Sequence, residues 1–147
     1  MPNRITLYTL KAAHRTLGQS LLRYLSFAEP YVGPGDTRLI DVLEAALADQ
    51  QRSMDAIVAS IASLGGGAPI SEFPARHTDV HDLEVGYGLR RAATDERRVA
   101  ADIEQLRTEL AFAPRADALL AKAAREAERR ADSILLALES PPAPAKA

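Results

Sequence analysis

Three polar residues occupy positions where the surrounding pattern calls for apolar ones. His14, Gln50 and Glu96 each sit in a run of aliphatic side chains spaced three and four apart. An imidazole and a carboxylate can ligate a metal or move a proton, and an amide can bridge a donor to an acceptor. A second group is HTDVHD, in which His77 and His81 stand four apart with Asp79 and Asp82 beside them. On a helix that spacing places both imidazoles on one face, suited to zinc or nickel if a carboxylate joins them. A capped surface helix start explains the same residues without a metal. The third group is REAERRAD at 125–132, where Glu126, Glu128 and Arg130 are close in sequence. Glu126 and Arg130 are at i, i+4, the spacing of an ordinary solvated helix pair.

Composition narrows the chemistry. The 147 residues carry a formal charge of −2 and no cysteine. That excludes disulfides, thiol catalysis and cysteine-bound metals. No overall basic field is present, arginines alternate with acids, and stacking aromatics are few, so no nucleic-acid partner is expected. No run is apolar and long enough to span a membrane. A cytoplasmic chain is expected. GGGAP lacks the lysine of a phosphate loop, and no nucleophile–histidine arrangement is suggested.

The elements that must position these residues are helical. Ala, Leu, Arg and Glu dominate, and β-branched residues are scattered. The spacing predicts a first helix over 5–28, with Leu7, Leu10, His14, Leu17, Leu21, Tyr24 and Ala28 on one face. A second, capped by Asp36 or Thr37, carries Ile40, Leu43, Leu47, Gln50, Met54, Ile57, Ile61 and Leu64 and stops at the glycines from Gly65. A third, capped by Thr78 or Asp79, carries Val85, Leu89, Ala92, Glu96, Val99, Ile103, Leu106 and Leu110. Gly86 and Gly88 weaken its first turns. A fourth starts at Pro114 and runs to about Leu138 with an alanine-rich face. Residues 1–139 are expected to form one domain and 140–147 a disordered Pro/Ala tail.

Connection lengths set the topology. The first and third links are short and predict two antiparallel hairpins. A helix of about 28 residues spans roughly 42 Å. The link over 65–77 reaches roughly 43 Å when extended, enough to cross the bundle. His14 and Gln50 then lie about 14 residues, or roughly 21 Å, from their shared turn, and Glu96 lies roughly 25 Å along the third helix. Arg130 on the fourth helix reaches the same height. The expectation is a polar layer of His14, Gln50, Glu96 and Arg130, with Glu96 paired to Arg130. A stripe rotated by one residue would leave Glu96 and Arg130 at the surface.

The topology and the ASLGGGAP ending of the second helix resemble the ferritin-like superfamily, which includes bacterioferritins and rubrerythrins. The resemblance implies an all-α four-helix bundle, two antiparallel hairpins joined by a long crossover. In that superfamily each hairpin supplies a Glu and a Glu-x-x-His, which together hold two iron or manganese ions. Carried onto this chain, the second-helix motif falls on Gln50 and Ser53, the first-helix Glu near Leu17, and the fourth-helix motif on Ala127 and Arg130. Only Glu96 matches. One carboxylate beside a guanidinium does not suit two hard cations.

The expectation is therefore a non-catalytic bundle with no cofactor and with a structural or interaction role. A homodimer is favoured, and Leu21-Leu22 and Leu135-Leu136 offer extra apolar width for a partner helix. The rival is an atypical iron- or manganese-binding protein of the same superfamily. It would use His14, Glu96, Glu126 or Glu128, with His77 and His81 as a separate surface pair.

Overall fold

Ser20 divides what the apolar spacing predicts as one helix. In the computed structural model, which describes residues 2–67, 69, 73, 77 and 84–140 (of Pro2 the backbone alone), α1 runs Pro2–Gly18 and α2 runs Leu21–Ala28. Ser20 has an extended backbone, and its hydroxyl accepts from the Arg23 amide, a standard N-cap. The break leaves two backbone groups without helical partners, and neighbouring elements supply them. The Leu21 amide donates to Asp95 Oδ2 at 2.8 Å, and the Gln19 carbonyl lies 2.8 Å from His77 Nε2.

Helix α3 spans Arg38–Ser63, α4 Val85–Leu106, and α5 Pro114–Glu139, with a 3₁₀ turn Arg107–Leu110 before α5. Thr37 precedes α3 but makes no side-chain cap; the Asp36 carbonyl accepts from Leu39 instead. Gly65 ends α3 in the left-handed conformation, φ 85°, which glycine adopts without steric cost. The expected caps Thr78 and Asp79 lie outside the described residues. Helix α4 begins at Val85, where the Glu84 carboxylate accepts from the Gly86 amide at 2.7 Å and the Tyr31 carbonyl from Val85. Gly88 is buried where α2 approaches α4; a β-carbon there would lie 3.2 Å from Leu25.

The described residues form helices and no strand; one isolated bridge joins Tyr31 to Glu84. Helices α1 and α2 together pack against α3 on one side and α4 on the other, and α5 closes the square between α3 and α4. Contacts between α3 and α4 are slight, so these two helices face each other diagonally.

Two separate apolar compartments fill the interior. The first gathers Leu10 and Leu17 of α1, Ile57 and Ile61 of α3, Ile103 of α4 and Leu120 of α5. The second gathers Leu22 and Leu25 of α2, Leu39 and Leu43 of α3, Leu89 of α4 and Ile134 of α5. Helices α3 and α4 both enter at the second compartment and leave at the first, so they run parallel. The chain thus leaves α3 at the first compartment and enters α4 at the second. The short loops after α2 and after the 3₁₀ turn join antiparallel neighbours.

Several expected side-chain positions change. Ile40 is exposed, and Leu39 takes its place in the core. Leu21 and Leu22 are both buried in the second compartment, so they are not free to receive a partner helix; Leu136 is exposed. The tail beyond residue 140 lies outside the described residues. No helix among the described residues is long and apolar enough to cross a membrane.

Candidate functional site

Between the two compartments lies a layer of polar side chains drawn from every helix except α1. Gln50 and Glu96 have no solvent exposure and Arg130 is 3% exposed. Each follows the helix period that also buries its apolar neighbours: Met54 below and Ala46 above Gln50, Val99 and Ala92 about Glu96, Ala127 and Ile134 about Arg130. Burial of groups this polar requires partners, and they have them. Arg130 Nε donates to Glu96 Oε2 at 3.0 Å. Gln50 Nε2 donates to Glu96 Oε1 at 3.1 Å and to Ser20 Oγ at 2.7 Å. Arg23 Nε donates to Gln50 Oε1 at 3.0 Å. The amide thus turns its oxygen to a cation and its nitrogen to a carboxylate, the only orientation that satisfies both.

The network continues outward. Arg130 Nη1 donates to Asp49 Oδ2 at 3.0 Å and to Ser53 Oγ at 3.3 Å, and Ser53 Oγ donates to Glu126 Oε2 at 3.0 Å. The i, i+4 pairing of Glu126 with Arg130 expected from spacing is therefore replaced: Arg130 turns inward to Glu96, and Glu126 receives Ser53. Arg130 Nη2 has no acceptor among the described residues.

His14 does not join this chain of bonds. It is half-buried on α1, six residues before Ser20 and so roughly 9 Å below the layer. Its Nδ1 has no partner among the described residues. Burial lowers the His14 pKa, opposed by Asp55 and reinforced by Arg23, so the ring is neutral at neutral pH. Arg23 takes the role expected of His14. It pairs with an amide and a backbone carbonyl, and burial lowers its pKa against the pull of Glu96.

Burial raises the Glu96 pKa, and it outweighs the attraction of Arg130 and its hydrogen bond.

The other candidates are dispersed. His77 is not on the surface: it is 4% exposed, beneath the Tyr24 ring at 5.6 Å and bonded to the Gln19 carbonyl. The break between α1 and α2 creates that acceptor. His81, Asp79 and Asp82 lie outside the described residues. Glu128 is exposed. No three His, Asp or Glu side chains among the described residues converge as a metal site. At the centre of the layer the Glu96 carboxylate lies 3.0 Å from the Arg130 guanidinium and 3.1 Å from the Gln50 amide, while the Asp49 and Glu126 carboxylates are taken up by Arg130 and Ser53. Such a set does not fit a pair of hard cations.

Sequence reasoning missed Ser20, Arg23, Asp49, Ser53 and Asp95. Ser20 had a readable signal, since a glycine at 18 with a serine two residues on marks a helix end and a new cap.

No family model matches the chain, and no curated protein or solved structure matches it.

Proposed function

We propose that the chain is a ferritin-like bundle whose central polar layer replaces a di-metal site, and that it serves as a non-catalytic structural or interaction module. The observation that carries this reading is the Arg130–Glu96 pair at the centre of the layer. A permanent cation takes up the only carboxylate that matches the superfamily's ligand pattern. The diagonal, parallel placement of α3 and α4 with a full-length connection also supports it, because consecutive helices of a simple up-and-down bundle would be adjacent. The layer then acts as a register device. Slipping one helix by a turn would leave buried charges unpaired, at a cost of several kcal/mol. The exposed Leu136 face of α5 is the candidate for self-association, most simply as a homodimer.

The test is metal loading. Untagged protein is equilibrated anaerobically with Fe(II), Mn(II) or Zn(II), desalted and assayed for metal per chain. The reading expects substoichiometric metal that Glu96→Ala does not alter. Stoichiometric iron or manganese lost in Glu96→Ala would overturn it.

A further inference from the structure

A groove of about 370 Å³ opens between α3 and α5, alongside the second compartment. Its charged residues are Arg52, Arg129, Arg130 and Asp49. One carboxylate therefore serves three guanidinium groups. Arg130 Nη1 and Arg52 Nη2 donate to Asp49 at 3.0 and 3.1 Å, whereas Arg129 reaches it only at 3.8 Å, too long for a hydrogen bond. Glu96 balances Arg130 from within the layer. Arg129 and Arg52 remain largely exposed, with side chains 65% and 70% accessible. Arg130 is almost fully buried yet lines the groove, and its Nη2 lacks an acceptor among the described residues.

Apart from Ser133, the rest of the groove is apolar. Val42 and Ala46 of α3 face Ile134 and Ala137 of α5. The volume lies at the lower end of small-ligand pockets. A cationic rim beside a short aliphatic trough is complementary to an amphipathic anion. Arginine forks match the two oxygens of a carboxylate, and the trough accommodates a short hydrocarbon chain.

We propose that this groove binds a small amphipathic monocarboxylate, its head bridging Arg129 and Arg52 at the Asp49 rim and its tail lying along Val42, Ala46, Ile134 and Ala137. The site is independent of the metal question, although Asp49 and Arg130 also belong to the layer. Its failure would leave the layer's metal test unchanged.

Sodium octanoate is the probe, titrated into the ¹⁵N-labelled full chain at low salt and followed by amide shifts. Acetate and 1-octanol are the matched controls for head and tail. Saturable shifts centred on Ala46, Ile134 and Ala137 are expected. Both controls should bind about ten-fold more weakly or worse. The double variant Arg52→Gln/Arg129→Gln should weaken octanoate about ten-fold without altering the melting temperature, since both side chains are exposed. Ala45→Trp, which fills the groove from an exposed position, should abolish the shifts. Raising sodium chloride from about 25 mM to about 250 mM should weaken binding. Absence of saturable shifts, equal affinity for octanol, or full affinity in the double variant would each overturn the proposal.

Discussion

The two apolar compartments are built from the same residue types but enclosed differently. The first is walled by long helices: α1 of 17 residues, the second halves of α3 and α4 and the first half of α5. Its large members, among them Ile57, Ile61, Ile103 and Leu120, are wholly buried. The second is closed on one side by α2, only 8 residues long. That helix is pinned at its start by Ser20 and Asp95 and ends at Glu29 in the left-handed conformation, φ 46°, uncommon for a residue with a side chain. One groove, beside Leu25, Leu43 and Val85, borders α2, and another opens between α3 and α5. Leu22, Leu89 and Ile134 of the second compartment are buried as fully as Ile57 and Leu120 of the first, so the two differ in the length of the helices that wall them and not in burial. A short helix has fewer turns to hold it in place than the long helices around the first compartment. Amides of α2 should exchange with solvent faster than those around Ile57 and Ile103, which hydrogen exchange measures directly.

The largest effect should come from the layer that separates the compartments. Arg130→Met leaves Glu96 buried without its cation and should cost about 3–5 kcal/mol in urea unfolding at neutral pH. Part of this deficit should be recovered in acid. The folded pKa of Glu96 lies above its unfolded value, so its contribution is complete below the ordinary carboxylate range and is lost as pH rises through the folded pKa. Without Arg130 that loss deepens, so the gap to wild type should narrow as pH falls from neutrality towards about 5. The apolar double replacement Glu96→Leu/Arg130→Met should be near neutral or stabilising, and its pH dependence should flatten.

Truncation on either side sharpens the comparison. Leu120→Ala and Leu25→Ala should each cost about 2–5 kcal/mol, with Leu120 nearer the upper end. Four long helices around it cannot collapse into the cavity, whereas α2 can shift. Thermal denaturation of the pair decides this; equal costs would remove the distinction. Ser20→Ala should follow at about 1–2 kcal/mol, since it removes both the α2 cap and a partner of Gln50. The smallest effect should be at the first compartment's outer end. Arg107 pairs with Asp117 at 2.8 Å and with Glu104 at 2.9 Å, and hydrogen bonds to Arg107 lower the Asp117 pKa. This cluster is solvated, so Arg107→Gln should leave the melting temperature nearly unchanged.

How much of this was legible follows from how each residue interrupts its surroundings. Gln50 and Glu96 stand out because they replace aliphatic residues in long, regular stripes that otherwise run uninterrupted. Arg130 was reached by counting heights, which works when helices are straight and uncapped between their ends. The same count failed for His14, because it assumed one unbroken helix where the chain breaks at Gln19–Ser20. Arg23, Asp49 and Asp95 were not legible. Each lies beside its helix's apolar stripe, where a charged residue is ordinarily solvated, and only the packing of a neighbouring helix turns it inward. His77 was misread for a related reason: its partner is a carbonyl that exists only because a distant helix is interrupted.

The central claim is that Glu96 and Arg130 act as one coupled pair between two cores. A double-mutant cycle with Glu96→Gln and Arg130→Met, measured by urea unfolding at neutral pH, tests it most directly. The account predicts a coupling energy of about 1–3 kcal/mol, with the double variant less destabilised than the sum of the singles. Additivity within about 0.5 kcal/mol would contradict it, and the layer would then be a set of independently satisfied polar groups.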